Sequence, residues 1–132
     1  MNKKVLIVED DPLISRMYQR VFQFEGYDAL MARNGEEGLE YLKKEKPVMI
    51  LLDIMMPKMN GIQLLEQIKA NPNTKDIPVV VLTNLSGSKD VETALSLGAV
   101  KFLIKAEVKP KKIVEEINEI LKASTRDDIP GV

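Results

Sequence analysis

Between Pro47 and Pro57 the chain carries five consecutive apolar residues, Val48-Met49-Ile50-Leu51-Leu52, followed at once by Asp53. A run this short and this apolar has the pattern of a strand buried on both faces, which suits the centre of a parallel sheet, although periodicity alone does not separate it from a buried helical segment. Open parallel sheets bind ligands at the carboxyl ends of their strands, and Asp53 stands at such an end. Taken alone it reads as a turn opener, because Asp so often ends strands. Its meaning depends on what the other strands carry at the same level.

Other apolar runs are spaced along the chain. Val5-Leu6-Ile7-Val8 ends in Glu9-Asp10-Asp11-Pro12. Tyr27 to Met31 is shorter and weaker, an edge strand. Ile77 to Leu82 ends at Thr83, and Val100 to Ile104 ends at Lys105. The intervening stretches have helical signals. Asp11 followed by Pro12 is an N-cap with proline at the first helical position, and this helix should reach about Phe24, turn Tyr18, Val21 and Phe22 inward, and stop at Gly26. Asn34-Gly35-Glu36-Glu37 offers a cap and a capping-box acid, with Leu39 and Leu42 on the apolar face. Asn60 caps a helix from about Gly61 to Ala70, which Asn71-Pro72-Asn73 breaks. Ser86 or Ser88 opens another that Gly98 closes. The last helix runs from about Lys109 to Ala123 with Ile113, Ile117, Ile120 and Leu121 inward. Parallel strands need helical crossovers. The expectation is an α/β, flavodoxin-like, doubly wound five-stranded parallel sheet in the order 2-1-3-4-5, with five helices on two faces. Residues 1–123 form this domain, and 124–132 a flexible C-terminal tail or the beginning of a linker.

Composition removes most chemistries. The 132 residues suit one domain, and they contain neither cysteine nor histidine. Disulfides, thiolate metal sites, cysteine nucleophiles and imidazole bases are therefore excluded. The 19 basic and 20 acidic side chains give a net charge of -1, so no electrostatic reason exists to expect nucleic acid or a membrane surface as partner. Without a signal-peptide or membrane-spanning run, the expected location is cytoplasmic. What remains is chemistry by carboxylates, hydroxyls, lysine and a bound cation.

The strand ends supply that set. In the order 2-1-3-4-5 the first and third strands are neighbours, so Glu9, Asp10 and Asp53 crowd into one cleft flanked by Thr83 and Lys105. Two carboxylates about 4 Å apart repel by roughly 4 kcal/mol at an effective dielectric of 20. Three need a compensating cation, and all-oxygen donors favour Mg2+, with Mn2+ also suitable, over zinc or copper. No glycine-rich phosphate loop follows the first strand, which argues against a nucleotide-binding fold. A carboxylate beside a cation, an amine and a hydroxyl is suited to accept a phosphoryl group as an acyl phosphate.

The motifs Val8-Glu9-Asp10-Asp11-Pro12, Leu51-Leu52-Asp53-Ile54-Met55-Met56-Pro57 with Asn60-Gly61, Val81-Leu82-Thr83-Asn84, and Phe102-Leu103-Ile104-Lys105 together resemble the receiver domains of two-component response regulators, over about residues 3 to 123. That resemblance implies the following roles. Asp53 is the phosphoacceptor. Asp10, Asp53 and the backbone carbonyl of Met55 hold the metal, with Glu9 acting through water. Thr83 and Lys105 contact the phosphoryl group. Phe102 is the switch aromatic, with an inward state expected even before phosphorylation. The donor is a sensor histidine kinase or histidine phosphotransfer protein, and the chain catalyses only its own phosphorylation and dephosphorylation. The first helix has more apolar residues than one inner stripe needs. Ile14 and Met17 are therefore expected partly exposed near the cleft, as the patch that meets the donor. The output surface, between the fourth helix, fifth strand and fifth helix, should include Lys89, Val91, Glu92, Lys101, Lys111 and Glu115. With no output domain in the sequence, output should be by contact with a downstream protein target. Where the family has proline after the lysine, Ala106 stands here, and the trans peptide is expected because a cis bond before a non-proline residue costs about 2.5–4 kcal/mol. Two rivals are a pseudo-receiver, an interaction module without a phosphoryl cycle, and an aspartyl phosphatase. The second lacks the acid it needs two residues after the nucleophile, where Met55 stands.

Overall fold

A computed structural model of the chain describes residues 3–54, 61–83, 89–105 and 108–127, with the side chains of the last helix described as far as Lys122. Strands β1 (Lys3–Val8), β2 (Tyr27–Ala32), β3 (Met49–Asp53), β4 (Val79–Thr83) and β5 (Lys101–Ile104) alternate with helices α1 (Pro12–Phe24), α2 (Gly35–Lys44), α3 (Gly61–Ala70), α4 (Lys89–Ser96) and α5 (Pro110–Asp127). The sheet is parallel throughout and ordered β2-β1-β3-β4-β5, the order expected.

Alternation along each strand divides the core in two. Leu6, Val8, Ile50, Leu52, Val79 and Val81 face Leu64, Leu65, Ile68, Val91 and Ala94 of α3 and α4. Val5, Ile7, Met49, Leu51, Val80 and Leu82 face Tyr18 and Phe22 of α1 and Ile113, Val114 and Ile117 of α5. β3 and β4 are buried at every position, as central strands between two helical layers must be.

The helix ends follow their local chemistry. Asp11 accepts from the backbone amides of Leu13 and Ile14 at 2.9 and 3.3 Å, and Pro12 occupies the first turn. Gly26 has φ of 92° and Gly98 of 107°, conformations that cost an L side chain dearly, so these two glycines end α1 and α4. At α2, Asn34 Oδ1 caps Glu37 N at 2.9 Å, while the Glu37 carboxylate reaches back one residue further than a capping box, to Arg33 N at 2.8 Å.

Three sequence expectations are corrected. α5 continues through Asp127 rather than stopping at Ala123, because Ser124 to Asp127 contain neither proline nor glycine. Val114, missing from the expected inner stripe, is buried beside Ile113, whereas Ile120 and Leu121 are only partly so. Val91, expected on an output surface, is 4 % exposed, because it shares the inner stripe of α4 with Ala94. The expected caps Asn60, Ser86 and Ser88 lie outside the described residues.

Candidate phosphoryl-acceptor site

The same alternation that builds the core aims the polar strand ends. Glu9 continues the parity of Val5 and Ile7, Asp53 that of Met49 and Leu51, and Lys105 that of Leu103, so all three belong to the α1/α5 side of the sheet. Thr83 continues the parity of Val79 and Val81, on the side of α3 and α4, and Phe102 packs against that cluster from β5, in register with Val81. Lys105 is fixed at the end of β5 by its own amide, which donates to the Thr83 carbonyl at 2.8 Å.

Lys105 is the hub of the cleft. Its Nζ donates to Asp53 Oδ2 at 3.0 Å and lies 2.6 Å from Glu9 Oε1. The Glu9 contact is an ion pair without the angles of a hydrogen bond, and Oε1 is a buried atom with no hydrogen-bond partner. The other oxygen, Oε2, accepts from Asp11 N at 3.2 Å. Glu9, Asp53 and Thr83 are buried to 1–2 % exposure, and Asp10 is open to solvent.

The electrostatics follow from this crowding. Burial pushes the Glu9 carboxyl up to about 7; the Lys105 contact opposes the rise and the Asp53 charge adds to it. At Lys105 burial pulls the amine down, but the contacts with Glu9 and Asp53 outweigh it and hold the amine above its ordinary range. Beneath them, burial lifts the Tyr18 hydroxyl to about 12, with opposing influences from Lys105 and the two acids, so it stays protonated.

Glu9, Asp10 and Asp53 each offer a carboxylate oxygen within 4.8 Å of the others. Three carboxylates face one ammonium group, and one buried oxygen lacks a hydrogen bond. A hard divalent cation fits this donor set, and exposed Asp10 leaves it a path from solvent.

The structure thus brings together Glu9, Asp10, Asp53, Thr83 and Lys105 at one end of the sheet. Met55 and the Lys105–Ala106 peptide lie outside the described residues. Of the expected docking pair, Ile14 is half-buried against the α1/α5 core, and Met17 is 45 % exposed. Sequence reasoning missed two features. One is the direct pairing of Glu9 with Lys105. The other is Gly61, whose amide donates to the Ile54 carbonyl at 3.1 Å and where a Cβ would meet Ile54 Cα at 2.4 Å and the Asp53 carbonyl at 2.6 Å. The Asn60-Gly61 pair was visible in the sequence, but the closeness of Gly61 to the acid was not.

Comparison with known proteins agrees with this geometry. Residues 5–118 match the response regulator receiver domain family. The alkaline phosphatase synthesis transcriptional regulatory protein PhoP of Bacillus subtilis is 34% identical over 124 residues, 94% of this chain and 50% of that protein. The chain spans about half the length of the curated relatives it matches. A CheY-like response regulator receiver domain protein from Methanospirillum hungatei superposes with a TM-score of 0.87 at 30% identity, covering 96% of this chain and 99% of that one. The Mn(2+)-bound form of response regulator Rcp1 has a TM-score of 0.78 at 32% identity, covering 89% and 92%. Among the described residues no helix is long and apolar enough to cross a membrane.

Proposed function

This chain belongs to the response regulator receiver domain family, and we propose that within it Asp53 accepts a phosphoryl group from a phosphohistidine donor in a Mg2+-dependent reaction. The observation that carries the proposal is Lys105 spanning Glu9 and Asp53 at 2.6 and 3.0 Å beside Asp10, an arrangement with excess negative charge and an oriented amine. An oxygen of Asp53 attacks phosphorus, the bond from phosphorus to the donor imidazole nitrogen breaks, and the imidazole leaves with that electron pair. Asp10 and Asp53 would hold the divalent cation, with the Met55 carbonyl and a water-mediated contact from Glu9 as the family resemblance implies, and Mn2+ would serve in its place. When bound, the cation neutralises charge on the phosphoryl oxygens. Lys105 pairs with one such oxygen as the charge builds, and Thr83 donates its hydroxyl to another. Hydrolysis of the acyl phosphate is the chain's own second reaction, and the cytoplasm is its place of action.

Thr83 and Phe102 share one side of the sheet, which supports Phe102 as the switch. Drawing Thr83 towards the phosphoryl group frees space that the Phe102 ring takes without having to satisfy a hydroxyl. Signalling then passes through the α4–β5–α5 face, at Lys89, Glu92, Lys101, Lys111 and Glu115, to a downstream protein.

Three measurements bear on this reading. Acetyl phosphate with Mg2+ is expected to add one phosphoryl group by intact mass, and Asp53→Asn to add none; no gain in the parent would make the chain a pseudo-receiver, and sustained phosphate release a phosphatase. Mg2+ should raise the melting temperature by binding only the native state, with Asp10→Asn weakening the response most. An unchanged response would place the cation elsewhere. Beryllofluoride should shift the NMR resonances of Thr83 and Phe102 and spread into α4 and α5; shifts confined to the surroundings of Asp53 would uncouple the site from that face.

A further inference from the structure

An open hollow of about 430 Å³ lies beneath the sheet, at the end opposite Asp53. Lys3, Val48 and Pro78 line it where β1, β3 and β4 begin, and Leu121 of α5 closes one side. Its floor is apolar: Ile77 is 6% exposed, and Val48, Pro78 and Leu121 are half-buried. Its rim is basic. Lys3 and Lys46 are exposed and take part in no ion pair among the described residues, against one acid in the lining, Asp76. The neighbouring Lys4 is already paired with Glu45. An acidic segment with apolar side chains matches both the floor and the surplus positive charge.

The chain itself supplies such a segment. Asp127-Asp128 is followed by Ile129, Pro130, Gly131 and Val132. From Leu121 in the hollow, α5 runs on to Asp127, about 9 Å at 1.5 Å per residue. Pro130 disfavours further helix at Ile129, and five extended residues reach at most about 16–18 Å. The segment up to Val132 can therefore return over the length that the last helical turns add. We propose that residues 128–132 fold back into this hollow, with Ile129 and Val132 against Val48, Ile77 and Leu121, and Asp128 beside Lys3 and Lys46. The competing occupant is the same segment of a second copy. A connection of five residues favours its own chain, because so short a tether keeps the segment at a millimolar effective concentration. The strap would anchor the last turn of α5 to the base of the sheet, far from the phosphoryl-acceptor cleft and independently of its chemistry.

The chain has no cysteine, so Val132→Cys carries a single nitroxide label on the full-length, isotope-labelled protein. The label is expected to broaden the amide resonances of Lys46, Val48 and Ile77 severalfold more than those of Phe24 and Val100, which precede the two edge strands at the same end of the sheet. Asp128→Lys and Ile129→Ser, each added to the labelled chain, should remove that contrast, while unmoved resonances of the central strands show that the domain is folded. Equal broadening at all five positions, or a contrast that survives either substitution, would overturn the proposal. So would broadening of Val48 and Ile77 in isotope-labelled chain without the cysteine, when it is mixed with unenriched nitroxide-labelled chain, because the segment in the hollow would then belong to a second copy.

Discussion

Lys105→Met is expected to destabilise the cation-free protein by about 3–5 kcal/mol, the usual cost of removing one partner from a buried ion pair. The parent places Nζ 2.6 Å from Glu9 Oε1 and 3.0 Å from Asp53 Oδ2, with the two acidic side chains 0% and 3% exposed. Without the amine, both carboxylates are stranded in a medium that solvates them poorly. Glu9 offers a partial escape, because its carboxyl already sits near 7 and would take up a proton. Its folded-state pKa lies above the unfolded value, so the folded chain binds the extra proton, and stability falls as pH rises from about 4.5 through 7. The deficit of the variant should accordingly be larger at pH 8 than at pH 6. Urea unfolding with a chelator at both values measures this, and Mg2+ should restore more stability to the variant than to the parent. A variant as stable as the parent at pH 8 would mean that the acids are solvated rather than held by Lys105.

Gly61→Ala should have the other large effect, and on activity more than on folding. The added methyl carbon would stand 2.4 Å from Ile54 Cα and 2.6 Å from the Asp53 carbonyl, both backbone atoms that cannot rotate away. Relieving the overlap costs about 1–3 kcal/mol, as overpacking does, and it displaces Asp53, the proposed phosphoacceptor. A misplacement near 1 Å can slow a reaction on the order of 10²-fold. Labelling by acetyl phosphate should fall on that scale while circular dichroism still reports a folded chain. Parental labelling kinetics would show that the neck between Ile54 and Gly61 yields without moving Asp53.

Much of this molecule could be read before it was seen, for reasons that are local. Asp11-Pro12 and Gly26 bracket α1 because capping and left-handed backbone depend on single residues, and the apolar runs mark the strands because both faces are covered. Residues at strand ends converge whenever the strand order is known, which is why Glu9, Asp10, Asp53, Thr83 and Lys105 were legible together. What escaped depends on phase and approach. Leu13, Ile14, Met17 and Tyr18 are all apolar or aromatic, so the pattern does not say which of Leu13 and Ile14 turns outward. Val91 and Val114 were misplaced or overlooked for the same reason. The Glu9–Lys105 pair joins residues 96 positions apart, and the contact of Gly61 with the strand end depends on how the loop closes. Neither distance is written in any local pattern.

The parity that places Asp53 with Met49 and Leu51 ties reactivity to folding in a particular way. A slip of the whole of β3 by one residue would turn Asp53 towards α3 and simultaneously exchange Met49 and Leu51 with Ile50 and Leu52 across the sheet. The acid cannot be lost by slippage while the rest of the core stays correct. Errors of that kind should therefore yield a chain that fails to fold and is removed, rather than a well-formed decoy that occupies the proposed phosphodonor and never responds. Substitution, which leaves the register intact, is the route by which an unresponsive but folded variant would arise.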